Sequence, residues 1–200
     1  MLAGRSDWLS AATPYLSGGG ATRLVTEHDV QWNDLPARHE AGSPNVLGAV
    51  ALAAACDTLT PATQELLHIR ESALLERLRA GLAGIDGVRE LNLWGSDHAR
   101  VGIVSFTVDG LPAEPLAAAL SAEYGIGVRD GLFCAHPLTR HLLPEGHAQA
   151  VRASLGLGTS TEHVDRLVAA VAALVEHGPR WEYADCDGRL APVPDPRDVL

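Results

Sequence analysis

Hydrophobic positions change their spacing along the 200-residue chain, and the change divides it. Over residues 1–45 no period persists: a short helix is expected after Ser6, followed by Gly18-Gly19-Gly20 and a polar stretch holding His28, Trp32 and Pro36. Forty-odd residues with so little regular structure seldom support themselves, so this arm is expected to lean on the rest of the chain or on a partner. From Ser43 the pattern turns helical. Ser43 followed by Pro44 reads as an N-cap and first helical position, opening an Ala-rich run through Leu59. That run is apolar nearly all round, the pattern of a helix buried in a core or an oligomer interface.

Thr60-Pro61 repeats the cap-then-proline signal and opens a second, amphipathic helix, with Leu67, Leu74, Leu75, Leu78 and Leu82 at helical spacing until Gly84. Residues 88–93 and 101–108 then read as strands, 113–124 as a helix, and 126–129 and 151–155 as strands. Thr159 with Glu162 offers a capping box, after which Val164, Leu167, Val168, Val171, Leu174 and Val175 hold one helical face. The order β, β, α, β, β, α suits an α+β fold: a small, mostly antiparallel sheet with helices on one face, spanning residues 60–178. Residues 1–59 form a separate segment before it. Beyond Gly178 a Pro- and Asp-rich tail, 179–200, is expected to be a mobile extension.

Composition narrows the chemistry. With 46% hydrophobic and 20% charged residues the chain is globular rather than disordered. Its 25 acidic against 15 basic residues give −10, a field that repels phosphate backbones and anionic headgroups, so neither nucleic acid nor membrane is an expected partner. All 15 basic residues are arginine and there is no lysine. A Walker A loop and a side-chain Schiff base both need that amine, and arginine stays protonated and cannot replace it. Cys56, Cys134 and Cys186 form no CxxC pair, which suggests reduced thiols and a cytoplasmic location. The longest apolar stretch, residues 46–56, is too short to span a bilayer, and Met1-Leu2-Ala3-Gly4-Arg5 shows no export signal.

Three places hold candidate chemistry. In Val128-Arg129-Asp130-Gly131-Leu132-Phe133-Cys134-Ala135-His136-Pro137 a thiol sits between a guanidinium and an imidazole. A nearby cation favours thiolate, as a nucleophilic or sulfur-carrying cysteine requires, although free cysteine is also commonly an inert core residue. No second ligand pair accompanies Cys134 and His136, so a metal site is not expected. Arg152, within Val151-Arg152-Ala153-Ser154-Leu155, is a charge inside a strand: either a bidentate clamp for a substrate carboxylate or one half of an internal salt bridge. Arg38-His39-Glu40-Ala41-Gly42-Ser43-Pro44-Asn45, with Gly18-Gly19-Gly20, has the makings of an anion site built from backbone amides and a hydroxyl, or else of ordinary capping and turns. GxGxxG, GxSxG and HExxH are all absent.

Together these segments resemble, in order and spacing, the C-terminal half of class V aminotransferases, most of all the cysteine desulfurase and selenocysteine lyase branch, over residues 3–178. The resemblance implies the C-terminal small domain of a fold type I pyridoxal-phosphate enzyme, preceded by a partial interdomain arm and long helix. It also implies an amino-acid substrate and a homodimer with shared sites, or an upstream chain that completes the enzyme. On this resemblance Ser43 reaches the cofactor phosphate of the neighbouring subunit, with Gly19 and Gly20 in the adjoining phosphate-side loop, Arg152 clamps the substrate carboxylate, Arg129 opens the cysteine loop, and Cys134 carries sulfur as a persulfide. The sequence departs from the branch at Leu132 and Phe133, where histidines are common, and at Leu157-Gly158-Thr159 in place of Tyr-Asn-Thr. The family's Schiff-base lysine belongs upstream of the segment that Met1-Leu2-Ala3-Gly4-Arg5 resembles. These residues alone are therefore expected to be inactive. The rival expectation is a non-catalytic homologue serving as an interaction or dimerisation module.

Overall fold

The alternation of buried and exposed residues in two central strands organises the larger part of the molecule, seen in a computed structural model that describes residues 3–95 and 98–197. The chain falls into two units, Met1–Thr60 and Pro61–Leu200.

In the first unit, α1 (Ser6–Ala11) precedes a hairpin of β1 (Thr22–Val25) and β2 (Val30–Trp32), strands absent from the sequence expectation. The hairpin turns through Thr26, whose Oγ1 accepts the Asp29 N–H at 2.9 Å. Hydrophobic burial is sparse, Pro14 and Ala21 being the buried residues among those described here. Side-chain bonds to backbone carbonyls tie the segment instead. Asn33 Nδ2 donates to the Gly20 carbonyl at 2.9 Å and Arg38 Nε to that of Ala12 at 2.9 Å, while a ring nitrogen of His39 lies 2.9 Å from the Leu9 carbonyl.

Helix α2 (Val46–Thr58) corrects the expected cap and is not buried in a core of this chain. Its cap is Asn45 rather than Ser43: Asn45 Oδ1 accepts the Gly48 N–H at 2.9 Å, and Ser43 stays exposed and outside the cap. Asparagine caps as well as serine, and here it sits at the right distance from the third helical residue. The helix is also not buried at any position, with Val46 65% and Leu47 84% exposed. An all-apolar sequence states a preference for burial without supplying the covering surface.

The second unit begins with α3 (Pro61–Ala83). Four antiparallel strands follow, β3 (Val88–Glu90), β4 (Ile103–Val108), β5 (Arg129–Gly131) and β6 (Ala150–Ser154), in spatial order β3-β4-β6-β5. Helices α4 (Ala113–Tyr124) and α6 (Thr161–His177) join α3 on one face. Leu74, Leu75, Leu78 and Leu82 meet Val104, Phe106 and Val108 of β4, Val151 and Ala153 of β6, Leu116 and Leu120 of α4, and Val164, Val171 and Leu174 of α6 in one core. The expected α+β architecture is thus present. The α6 cap moves one residue along: Ser160 Oγ accepts the His163 N–H and His163 Nδ1 accepts the Ser160 N–H, whereas Thr159 Oγ1 accepts from Gly156.

Three further elements escaped the sequence reading. Helix α5 (His136–Leu142) follows β5, and β7 (Tyr183–Asp185) pairs with β8 (Leu190–Pro192) in a hairpin packed on α4. Residues 179–197, expected to be mobile, are instead anchored through Glu123 of α4. The carboxylate of Glu123, 0% exposed, accepts the Arg180 N–H, the Arg180 Nε–H, the Trp181 N–H and the Tyr183 hydroxyl at 3.0–3.3 Å.

Candidate active site

Alternation along β6 sends Val151 and Ala153 into the core and turns Arg152 to the opposite face of the sheet. On that face the register sets Arg152 opposite Ser105 of β4 on one side and opposite Arg129 of β5 on the other. Like charges directly across a strand pair repel, so neighbouring arginines normally require an anion between them. Among the described residues no carboxylate pairs with either arginine, and Arg152 Nε is buried without a hydrogen-bond partner. The internal salt bridge allowed by the sequence is therefore not formed. What holds Arg152 is an aromatic ring: its Cζ lies 5.5 Å from the centroid of Phe133.

Phe133 and Cys134 both take left-handed backbone conformations, with φ of 55° and 58°. For non-glycine residues this costs about 1–2 kcal/mol each, so the surrounding bonds must impose it. Leu132 supplies the brace. Its carbonyl accepts the Ala135 N–H at 2.9 Å and the Oγ1 of buried Thr139 at 3.1 Å, and Pro137 fits the first turn of α5. The result is an exposed Cys134 whose sulfur accepts a hydrogen bond from Arg129 Nη2 at 3.2 Å. His136 opens α5 and makes no bond to this sulfur among the described residues, so of the guanidinium and imidazole flanking the thiol in sequence only Arg129 reaches it.

Gly18, Gly19 and Gly20 come together with the segment before Ser43 inside the first unit. A Cβ on Gly18 would stand 2.1 Å from the Ala41 carbonyl oxygen, and one on Gly20 2.4 Å from that of Glu40. The Gly20 N–H donates to the Ala41 carbonyl at 3.2 Å. Only glycine permits this approach, whereas Gly19 faces open space. Gly18→Ala is expected to separate the two loops and lower stability by about 1–3 kcal/mol, with Gly19→Ala near neutral. Urea unfolding of the two variants checks the contrast, and equal losses would refute it.

Arg129, Cys134 and Arg152 thus share one face of the second unit, and Gly19, Gly20 and Ser43 one loop pair of the first. Ser105 is a neighbour of Arg152 that the sequence reading did not single out, and Phe133 was noted there only as a departure from the branch. Phe133 was visible as the aromatic beside the cysteine, while Ser105 has no sequence signal because strand register alone brings it to Arg152.

The aminotransferase class-V family model matches residues 1–167. The chain belongs to this family. A probable cysteine desulfurase of Xylella fastidiosa (strain 9a5c) is 35% identical to the class V chain over 167 residues, covering 84% of this chain and 38% of that protein. A solved cysteine desulfurase from Escherichia coli, in an S-sulfonic acid form, superposes with a TM-score of 0.72 at 29% identity, over 86% of this chain and 41% of that one. A second structure, a C-DES mutant with glycine covalently linked to its PLP cofactor, matches at a TM-score of 0.57 and 23% identity, a likeness of fold. The chain spans about 40% of the length of the curated relatives it matches. Class V aminotransferases are pyridoxal-phosphate-dependent.

Taken unit by unit, the residues present fit parts of such a cofactor and its amino acid. In the second unit Arg152, unpaired with any carboxylate among the described residues, suits a substrate carboxylate, and in the first the open space at Gly19 and the exposed Ser43 hydroxyl suit a phosphate. The tethering amine is not among them, since these 200 residues contain no lysine. No single helix among the described residues is long and apolar enough to cross a membrane.

Proposed function

We propose that this chain supplies the sulfur-accepting thiol and the carboxylate clamp of a cysteine desulfurase-like site, and that the Schiff-base lysine comes from outside these 200 residues. The observation that carries this reading is the alignment, on one sheet face, of an arginine without a carboxylate, a second arginine beside it, and an exposed thiol bonded to that second arginine. Arg152 would grip the carboxylate of the amino-acid substrate through its N–H edge, with Ser105 alongside. Gly19 and Ser43, with Gly20 fixing their loop against residues 40–41, would hold the phosphate of a neighbouring subunit's pyridoxal phosphate, which when bound supplies an electron sink for cleavage of bonds at the substrate. Arg129 holds the Cys134 sulfur on the open face, where it would take the substrate's sulfur atom as a persulfide while the remaining carbon skeleton leaves as the desulfurised amino acid. Alone, the chain would not turn over an amino acid, for want of the amine. A reducing cytoplasm and association with a second chain, a like copy or a lysine-bearing one, belong to the same proposal, as do the three free cysteines.

The test mixes this chain with the lysine-bearing upstream half of a cysteine desulfurase, pyridoxal phosphate and L-cysteine. Alanine release and a persulfide on Cys134, read as one added sulfur by mass spectrometry, are expected, with both lost in Cys134→Ser. Persulfide formation at another cysteine, or alanine release unchanged by Cys134→Ser, refutes the assignment. A second reading, a non-catalytic association module, is favoured by the exposed apolar α2. It predicts stable self-association in sedimentation velocity without cofactor uptake, reduced by Leu47→Glu.

A further inference from the structure

An arginine in the middle of a strand is ordinarily fixed by a carboxylate, and such a pair occupies the N–H edge of the guanidinium. Arg152 is fixed differently. Its guanidinium carbon stands 5.5 Å from the centre of the Phe133 ring, inside the range of a cation–π contact. This contact holds the cation over the ring without a carboxylate, and so leaves its charge unneutralised. The buried, unpartnered Nε of Arg152 is consistent with that: the side chain is restrained, yet its donors are not consumed by the protein.

The backbone at Phe133 has the same purpose written into it. A left-handed φ of 55° at a bulky residue, followed by 58° at Cys134, turns the chain sharply between the two side chains. The ring goes to Arg152 of β6, and the sulfur goes to Arg129 of β5. The bonds from Ala135 N–H and Thr139 Oγ1 to the Leu132 carbonyl hold the turn in place.

Resting on the desulfurase-like reading above, we propose that Phe133 is a positioning residue for Arg152. Its ring restrains the guanidinium without neutralising it, so that an α-amino acid carboxylate meets a cation already held in place, and the left-handed turn couples this clamp to the thiol at the next residue. The requirement is for an aromatic face, not for bulk: tyrosine fulfils it and leucine does not.

Two measurements test this. In the chain as it exists, the Arg152 side-chain methylene protons, assigned by NMR, are expected to lie upfield under the ring current, to stay there in Phe133→Tyr and to move to ordinary values in Phe133→Leu. Unshifted methylenes in the wild type, or shifts that persist in Phe133→Leu, overturn the proposal. In the enzyme reconstituted with a lysine-bearing upstream half, Phe133→Leu is expected to raise KM for L-cysteine about 3- to 20-fold with kcat changed less than about twofold, and Phe133→Tyr to restore KM. An equal fall in kcat with unchanged KM overturns the positioning role. Failure of the desulfurase reading looks different: Arg152→Gln would then leave KM untouched, or the wild-type pair would show no turnover, while the ring-current shift remained and still upheld the contact.

Discussion

Phe106→Ala is expected to destabilise the second unit by about 3–5 kcal/mol. Phe106 is fully buried at 0% exposure in β4, paired with Val151 of β6 on one side and Glu90 of β3 on the other. Its ring is the largest side chain sealed in the core that joins the sheet to α3, α4 and α6. Removing it forfeits the transfer energy of the ring and leaves a cavity that strand backbones held by hydrogen bonds on both sides cannot close. Since whole domains of this size are stable by only about 5–15 kcal/mol, such a loss is a large part of the total. Urea unfolding followed by circular dichroism measures it as a lowered midpoint with unchanged slope. A loss under about 1 kcal/mol would mean that the core is not organised around β4.

The second large effect concerns Glu123, whose carboxylate anchors the C-terminal hairpin through Arg180, Trp181 and Tyr183. Glu123→Ala leaves two backbone N–H groups and a partly buried hydroxyl without their acceptor, and about 2–4 kcal/mol of docking stability should go with it. Hydrogen exchange of residues 183–192 reads this directly, with protection expected to fall by roughly 30-fold or more while α3 and β4 remain protected. Unchanged protection would show that packing of β8 on α4 suffices by itself.

Acid has the same target. Burial pushes the Glu123 carboxyl upward, but the Arg180 side chain, the Arg180 N–H, the Tyr183 hydroxyl and the Trp181 N–H outweigh it and hold the group below its ordinary value. A carboxyl depressed in the folded state contributes stability that is complete above the ordinary range near 4.5 and is lost as pH falls through the lower, folded value. Hairpin protection should therefore be flat from neutral pH to about 5 and collapse only in stronger acid. Burial, with the bond to Glu123, pushes the Tyr183 phenol in the opposite direction, upward.

Much of the second unit was legible because its signals are local. The leucines of residues 74–82 and the valines and leucines of 164–174 recur at helical spacing, and those positions are the ones buried. Short or capped elements were harder to read. Helix α5 is seven residues long, β7 and β8 have three each, and three residues present too little pattern to distinguish a strand from a turn. Within the candidate site, the motif surrounding Cys134 pointed to the thiol and its arginine, but nothing in it ranked Arg129 above His136 as the neighbour of the sulfur. That choice depends on the direction in which the chain leaves β5, which the left-handed pair at 133–134 sets.

Taken by itself, the amino-acid sequence determined the chemistry within reach: fifteen guanidinium groups, no side-chain amine, a thiol between a guanidinium and an imidazole, and the helical and strand periods that make an α+β domain. These are properties of residue type and of neighbours a few positions apart, which need no fold to be read. Tertiary structure alone decided that Arg152 meets an aromatic ring and a second arginine instead of one of the 25 acids, that α2 stays uncovered, and that residues 179–197 are fastened to α4. Each of those depends on which strands pair and in what register. A pairing between residues 129 and 152 is fixed by the packing of the whole core, and no local pattern encodes it.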